Sequence, residues 1–432
     1  MVILATIAAL ERAATHPQDW GRIAEWYLAA AAQTPGEHRL LANAANAFWL
    51  RGDAQSALAT YQRAILLAPE CAVVYRGLGN TLVDLGRFEA AERAYRRSLS
   101  LCADDETSWN LSQLLIGMGQ YKEGYALAES RWNLKRVVPW RTGQIQNAAE
   151  AVDPDRELLV WSEQGFGDIF QHLRWLLLLL QQRGRRAKAL QVEVEEGLVS
   201  FLRDVLWEQS PPPVVVAKPP ERAPAWGGAH VSLLSLPNWL GCAPIGVPVS
   251  ALSCPDWPAP APREARRLRV GLVWKAGRKL EDPHAIREYW LRSLDHDALG
   301  LLIEGLVGLG CGCVALQFGD DRDLATPWSG DFEAQLAPDA DFGETARLVA
   351  ELDLVITVDT AMAHLAGCLQ RPVWVLLPFY AAPRWGRQLS TSLWYPSMRL
   401  FRQEKPWDWQ PPIQQVLQAL VRWRNPGPAA VP

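Results

Sequence analysis

Short apolar runs recur through the last two-thirds of the chain, and the clearest of them lies near residue 355. Leu354–Val358 is a continuous apolar run rich in β-branched residues, which predicts a buried parallel strand. Asp359 and Thr360 follow, either of which can cap a helix that runs to about Leu369, and Pro372 starts the next run. This stretch predicts a strand, turn, helix and strand of a parallel sheet.

The turn in this unit is a candidate phosphate site. Open α/β sheets bind ligands outside the carboxyl ends of their strands, and the free N–H groups of a helix start favour phosphate. The expected contact residues are Asp359, Thr360, Ala361, Met362, Ala363 and His364. The alternative is a βαβ turn without a binding role, in which Asp359 only caps the helix and His364 only packs against the sheet.

A helical pattern with an internal repeat covers the chain up to about residue 135. Small and aromatic residues recur at a spacing of 34: Gly52 and Gly86, Ala57 and Ala91, Tyr61 and Tyr95. This is the period of tetratricopeptide repeats, in which small residues let two helices approach and Tyr fills the groove between helices. The repeats are either a stacking scaffold or a surface for a polypeptide.

Strand and helix signals then alternate in two groups. The first group contains the strand Leu158–Trp161 and a helix over 169–183, and a Pro-rich linker over 255–262 separates it from the second. The second group starts with a strand over 269–274 and a loop over 275–289, and it ends with a helix over 412–424. We predict three domains, 1–135, 136–254 and 255–432, with a cleft between the two α/β domains.

The turn after the first strand of residues 136–254 is the second candidate site. It reads Glu163-Gln164-Gly165-Phe166-Gly167-Asp168. Two glycines in a strand-to-helix turn allow a ligand to approach the backbone closely, although any tight turn uses them. Asp168 is either a functional carboxylate or a helix-start acid that complements the helix dipole.

Composition narrows the class of protein. The net charge of −4 gives no support for a basic nucleic-acid surface, and 49% apolar with 21% charged residues describes a well-cored globular chain. Seven scattered cysteines without a C-x-x-C pattern suggest a reducing compartment. The apolar runs at 2–10 and 176–180 resemble neither a signal peptide nor a membrane span, so we expect a cytoplasmic protein.

Five motifs together carry a resemblance to a known family. They are 163–168, 271–277, Leu316-Gln317, 359–367 and 394–403. With the repeats, the chain from about 41 to 420 resembles bacterial tetratricopeptide-repeat proteins that carry a glycosyltransferase domain of the GT-B fold. That domain is similar to the ADP-heptose:lipopolysaccharide heptosyltransferases and, distantly, to O-linked N-acetylglucosamine transferase. The implied fold is α plus α/β: a helical solenoid followed by two Rossmann-like domains.

The resemblance implies an inverting transfer from a nucleotide-sugar, with no cofactor besides that co-substrate. Asp168 matches the Gly-Asp aspartate that is the family's candidate base, and Glu163, Gln164, Gly165 and Gly167 form the acceptor-side loop with it. On the donor side, Lys275 is expected to supply positive charge for the leaving diphosphate, the start of the helix at Thr360 to supply N–H donors, and Gln317 to contact the base or ribose.

A metal is not expected at this site. The four D-x-D patterns fall in predicted loops or at a helix start, where chance matches are common in a chain with 47 acidic residues. One segment departs from the family: Ala382-Pro383-Arg384-Trp385 stands where relatives often show Asp-Trp-Arg-Trp, which bears on donor-base specificity and on activity itself.

Three hypotheses follow for the function. The first is a glycosyltransferase that acts on a protein or peptide held by the repeats, and the second is an enzyme that acts on a glycan or small acceptor. The third is a non-catalytic binding protein on a glycosyltransferase scaffold. Asp168, Lys275 and the Asp359-Thr360 pair are all present, which favours catalysis over the third hypothesis.

Overall fold

The computed structural model describes most of the chain. The described residues are 2–134, 140–143, 148–163, 165–221, 223, 226–241, 243, 252, 254, 257, 267–278, 282–386 and 389–424. Gln164, the predicted linker over 255–262 apart from Trp257, and the end of the chain at 426–432 lie outside them.

Paired antiparallel helices build the N-terminal part. They are α1 (Val2–Ala13), α2 (Asp19–Gln33), α3 (His38–Arg51), α4 (Ala54–Leu67), α5 (Ala72–Asp84), α6 (Phe88–Leu101), α7 (Asp105–Gly117) and α8 (Tyr121–Ala128). Gly52, Gly86 and Gly119 turn the chain within successive pairs at φ of 85°, 62° and 80°, a left-handed conformation that favours glycine. This requirement explains why Gly recurs at the repeat spacing.

The small and aromatic repeat positions form the contacts predicted for them. Ala57 and Ala91 are fully buried between helices. Tyr61 on α4 lies so close to α5 that a Cβ on Gly77 would come 2.2 Å from its hydroxyl oxygen. The predicted tetratricopeptide-repeat solenoid is confirmed.

The first α/β domain is a four-stranded parallel sheet with helices packed on it. Its strands β1 (Leu158–Trp161), β2 (Leu190–Val194), β3 (Val214–Ala217) and β4 (Ala229–Ser232) lie in the order β3-β2-β1-β4. Its helices are α9 (Ala148–Val152), α10 (Phe166–Arg183), α11 (Val199–Leu206) and α12 (Leu236–Leu240). The order reverses beside β1, so the carboxyl end of β1 borders a switch point, where open sheets bind ligands.

The second α/β domain has a six-stranded parallel sheet. Its strands are β5 (Arg269–Val273), β6 (Gly312–Ala315), β7 (Phe332–Gln335), β8 (Leu354–Val358), β9 (Val373–Leu377) and β10 (Met398–Arg402), in the order β10-β9-β8-β5-β6-β7. Its helices are α13 (Pro283–Leu291), α14 (His296–Gly308), α15 (Phe342–Ala350), α16 (Ala361–Cys368) and α17 (Gln410–Arg424). The switch point lies between β5 and β8, and the predicted fold class is confirmed.

One predicted loop is partly helical. The sequence predicts a loop over 275–289, whereas α13 begins at Pro283 after Asp282, whose carboxylate accepts hydrogen bonds from the backbone N–H of His284 and Ala285. An acidic N-cap followed by Pro at the first helical position is a helix-start signal, which was missed in the loop prediction.

The two α/β domains share one apolar core at the base of their cleft. Helix α10 of the first domain packs against α16 of the second. Phe170 on α10 and Phe342 on α15 meet edge-to-face with ring centroids 5.1 Å apart. Packed side chains of the described residues therefore join the two domains.

The repeats rest on the second α/β domain through the turns inside their helix pairs. Arg287 on α13 is buried, forms an ion pair with Asp84 and donates to the backbone oxygen of Trp49 at 2.9 Å. Tyr380 donates to the backbone oxygen of Gly52 at 2.9 Å. The described residues contain no helix that is long and apolar enough to cross a membrane.

We expect Gly117→Ala to destabilise the fold by about 1–3 kcal/mol, the usual cost of overpacking. A Cβ on Gly117, the last residue of α7, would lie 2.4 Å from Pro383 Cβ and 2.6 Å from its backbone. Gly308→Ala is the matched control, because Gly308 ends α14 and a Cβ there meets nothing within 4 Å. Urea unfolding that gives equal stability for the two variants would contradict this close contact.

Candidate active site

A cavity of about 810 Å³ lies where the repeats and both α/β domains meet. It opens at the carboxyl ends of β1 and β8, beside the switch points of both sheets. The lining residues are Trp109, Arg131, Trp132, Leu134, Trp140, Trp161, Ser162, Glu163, Gly165, Phe166, Gly167, Asp168, Glu195, Lys218, Gly277, Glu288, Arg292, Asp359, Thr360, Ala361, His364, Ala382 and Arg384.

Asp168 lies in the first turn of α10 and faces the second domain. Its Oδ1 accepts a hydrogen bond from Nη1 of Arg384 at 3.0 Å, and the same Nη1 donates to Oε1 of Gln171 at 2.8 Å. Burial by itself raises the pKa of Asp168, but the charge and hydrogen bond of Arg384 more than offset this and hold the pKa below its ordinary value. Asp168 is thus an ionised carboxylate in an ion pair between the two domains.

The glycines of the acceptor-side loop have different surroundings. A Cβ on Gly167 would lie 3.1 Å from the ring of His364 and 3.5 Å from Cα of Ala361, so Gly167 lets the starts of α10 and α16 approach each other. A Cβ on Gly165 would meet only Asp168, at 3.7 Å. Gly167 therefore allows close contact between α10 and α16, whereas Gly165 lines the cavity and has room beside it.

Glu163 is engaged in a buried ionic network. Arg131 donates to it from Nε at 3.1 Å and from Nη2 at 2.6 Å, and Ser232 donates to the same carboxylate. Arg131 belongs to the segment that follows the repeats and is 1% exposed. Glu163 therefore joins the first α/β domain to the repeats.

The start of α16 lies next to the start of α10 and lines the same cavity as Asp168. Thr360 occupies the N-cap position, but its hydroxyl lies 2.9 Å from that of Thr357 and makes no hydrogen bond to the helix backbone. No other side chain of the described residues caps this helix start. The N–H groups of Ala361 and Met362 therefore remain available to an anion at the edge of the cavity, whereas that of Ala363 donates to the backbone oxygen of Thr360.

His364 and Met362 face inward from the same helix. Nδ1 of His364 lies 3.0 Å from the Tyr395 hydroxyl, and its ring stacks on Trp385 with centroids 5.3 Å apart. Burial lowers the pKa of His364 to about 4, so the ring is neutral at pH 7. His364 lines the cavity at one edge, whereas Met362 is 3% exposed and belongs to the apolar core.

Arg292 supplies positive charge beside the start of α16. Its Nη1 lies 4.0 Å from the Asp359 carboxylate and 3.4 Å from the backbone oxygen of the same residue. Asp359 is buried, while the Arg292 side chain is 31% exposed and reaches the cavity. An exposed guanidinium next to uncapped N–H groups is a suitable environment for a phosphate.

Two predicted donor-site residues lie away from this cavity. Nζ of Lys275 lies over the rings of Tyr289 and Trp290, 5.5 and 5.0 Å from their centroids, and burial lowers its pKa. Gln317 accepts hydrogen bonds from the backbone N–H of Trp274 and Lys275. Gln317 thus holds the carboxyl end of β5, and the structure does not bring these two side chains to the residues around Asp168.

Several cavity residues were not predicted as site residues. Two of them lie in the second domain: Arg292 directly after α13, and Arg384 in the segment 382–385 that departs from the family. The others include a set of tryptophans that the repeats, the following segment and β1 contribute: Trp109, Trp132, Trp140 and Trp161. No local motif marks these indoles, because they come together only through the packing of the repeats on the first α/β domain.

Within the described ranges, no three His, Cys, Asp or Glu side chains come together as a group that could hold a metal ion. Positively charged side chains line the cavity, among them Arg292, Arg384 and Lys218.

Comparison with family models gives two matches. Residues 322–380 match glycosyltransferase family 9 (heptosyltransferase), and residues 74–105 match a tetratricopeptide repeat. The first match includes β8, the start of α16 and β9, where the candidate phosphate site lies. These matches confirm the resemblance and the predicted glycosyltransferase domain.

Similar proteins were found in sequence and in structure. Protein FlbA of Caulobacter vibrioides is 25% identical over 406 residues, which cover 85% of this chain and 64% of FlbA. ADP-heptose lipopolysaccharide heptosyltransferase II of E. coli is similar at 14% identity and a TM-score of 0.41, over 61% of this chain and 97% of that one. A mutant O-GlcNAc transferase of Thermobaculum terrenum is similar at 15% identity and a TM-score of 0.32, over 98% and 92%. By the family models, the chain joins a tetratricopeptide repeat to a segment that matches glycosyltransferase family 9, and it spans 64% of the length of FlbA.

Proposed function

We propose that this protein is an inverting, metal-independent glycosyltransferase that moves a sugar from a nucleotide-sugar to a hydroxyl of a protein or peptide. The observation that carries the proposal is the placement of Asp168 and the uncapped start of α16 side by side at the same cavity. A direct displacement requires a base and an anion site at one cavity.

The proposed reaction is a single displacement. The Asp168 carboxylate takes the proton of the acceptor hydroxyl, whose oxygen forms a bond to the anomeric carbon from the side opposite the leaving group. The bond between that carbon and the β-phosphate oxygen breaks, and its electron pair leaves with the nucleoside diphosphate. The sugar therefore changes its anomeric configuration.

The leaving diphosphate is assigned to the start of α16 and Arg292. Backbone N–H groups and a guanidinium stabilise the negative charge that develops on the leaving oxygen. Because these groups belong to the protein, the proposal requires no divalent ion. The sequence predicts this charge from Lys275, but the Lys275 ammonium lies over the rings of Tyr289 and Trp290.

The repeats form part of the acceptor side in this proposal. Trp109 on α7 lines the cavity, and Arg131 and Trp132 follow directly after the last repeat helix. A polypeptide lying along the repeats would deliver a side-chain hydroxyl toward Asp168. Deletion of the repeats would therefore remove part of the cavity wall as well as a binding surface.

One observation favours a glycan or small acceptor as a second candidate. The indole N–H groups of Trp132 and Trp140 donate to Glu129 and Glu193, which holds their rings in place. Fixed aromatic faces with a few polar neighbours suit the apolar face of a sugar ring. Transfer of radiolabelled sugar to free saccharides but to no polypeptide would select this candidate.

We expect a nucleoside diphosphate to raise the melting temperature, because a ligand that binds the native state stabilises it by mass action. UDP, GDP, ADP and dTDP are tested at millimolar concentration, with and without EDTA, and the chelator should not change the shift. Arg292→Gln should weaken the shift, whereas Arg269→Gln should not, since Arg269 lies at the amino end of β5 and pairs with Glu351. No shift with any of the four nucleotides would contradict the donor site.

A further inference from the structure

Arg384 occupies the position between the candidate base and the candidate phosphate site. It lies in the short 3-10 helix Pro383–Trp385 of the second domain and reaches Asp168 of the first. It lines the cavity together with Ala361, and its charge interacts with that of Asp359. While this ion pair holds, Oδ1 of Asp168 accepts a hydrogen bond from Arg384, and the adjacent positive charge lowers the affinity of the whole carboxylate for a proton.

The backbone of this turn is fixed by its neighbours. Nε1 of Trp394 donates to the backbone oxygen of Arg384 at 3.0 Å, and Nη2 of Arg402 donates to that of Trp385 at 2.6 Å. Pro383 packs directly against Gly117 of the repeats. Any change of partner by Arg384 must therefore occur in its side chain alone, which is 27% exposed.

The Arg384 guanidinium has N–H donors that the ion pair with Asp168 does not use. Among the described residues, Arg384 makes its side-chain hydrogen bonds through Nη1 only, to Asp168 and Gln171. Nε and Nη2 remain as donors on the same planar group. A guanidinium edge with two parallel N–H donors matches a phosphate, which it binds in a bidentate manner.

We propose that Arg384 is a further catalytic residue that changes partner during the reaction. It pairs with Asp168 in the empty enzyme and moves to the diphosphate when the nucleotide-sugar binds, which leaves Asp168 free to take the acceptor proton. This inference rests on the proposed function and specifies the order of its steps: the nucleotide-sugar binds first, and Asp168 becomes available as the base afterwards.

The electrostatics of Asp168 agree with this exchange. The charged or titratable groups of the described chain that act on Asp168 are Arg384, His172 on its own helix and His364 on α16. Burial lowers the pKa of both histidines to about 4, so at pH 7 they are neutral and Arg384 is the charge that opposes the effect of burial. When Arg384 moves away, the effect of burial is no longer opposed, so the pKa of Asp168 rises and its carboxylate becomes a stronger base.

The test measures binding of inorganic pyrophosphate by calorimetry, so that no nucleotide has to be chosen. Arg384→Gln should weaken binding roughly tenfold or more, the scale of lost charged hydrogen bonds. Asp168→Asn should strengthen binding several-fold, because Arg384 no longer has to leave a carboxylate. That gain should disappear in the double variant Asp168→Asn with Arg384→Gln. Arg384→Lys should bind pyrophosphate more tightly than Arg384→Gln but less tightly than wild type, since lysine keeps the positive charge and lacks the paired N–H donors of the guanidinium.

The outcomes separate this inference from the proposed function. If wild type binds pyrophosphate and Arg384→Gln binds it equally well, the exchange is wrong and the donor site stands. An equal gain from Asp168→Asn with and without Arg384 would show simple charge repulsion and also overturn the exchange. If wild type binds neither pyrophosphate nor any nucleoside diphosphate, both proposals fall.

Discussion

Asp168→Asn is expected to lower turnover by about a hundredfold or more, the usual contribution of a general base. The substitution keeps the size of the side chain and removes the carboxylate that accepts the proton. The side chains of Asp168 and Arg384 are both partly exposed to solvent, so loss of their ion pair should change the folding stability little. Turnover is measured as sugar release from the nucleotide-sugar or as transfer to an acceptor.

The matched control is Asp297→Asn, which removes an exposed carboxylate from the first turn of another helix, α14. It should leave turnover unchanged. Because the pKa of Asp168 is held below its ordinary value, the base stays ionised to a lower pH than an ordinary aspartate does, and kcat/KM should fall only below that range. Normal turnover by Asp168→Asn would reduce Asp168 to a helix-start acid.

Arg131→Met is expected to destabilise the protein by about 3–5 kcal/mol, the range for a broken buried ion pair. Arg131 is 1% exposed and donates to Glu163, Glu129 and Ser235. Methionine keeps much of the volume but leaves the buried Glu163 carboxylate without its cation. Urea unfolding measures the loss.

Arg156→Met serves as the control for this loss. Its pair with Glu150 is exposed, with side chains 44% and 31% accessible, and should be worth less than about 1 kcal/mol. The double variant Arg131→Met with Glu163→Leu should recover part of the stability, because no uncompensated carboxylate remains. Equal losses for Arg131→Met and Arg156→Met would contradict a buried network between repeats and domain.

Local patterns allowed the sequence to predict the main elements. The run Leu354–Val358 is β8, a strand buried on both faces, and the residues that follow it begin α16. The repeat spacing was readable because Gly52 and Gly86 must adopt positive φ in each unit. Such features depend on a few neighbouring residues, so they are visible without a structure.

Side-chain directions at the cleft could not be predicted in the same way. Lys275 and Asp359 both follow strands that border the switch point, yet Lys275 points toward the aromatic rings of α13 and Asp359 toward Arg292. The pairing of Asp168 with Arg384 joins residues 216 positions apart. Contacts of this kind depend on how two domains and the repeats pack, which no local pattern specifies.

The most direct test of the donor site is a crystal structure with the nucleoside diphosphate that gives the largest thermal shift. We expect its β-phosphate within about 3 Å of the backbone nitrogen of Ala361 or Met362, with Arg292 or Arg384 on the other side. A diphosphate found instead in the separate cavity of about 540 Å³ beside Trp274 and Phe332, with none at the start of α16, would contradict the proposed site.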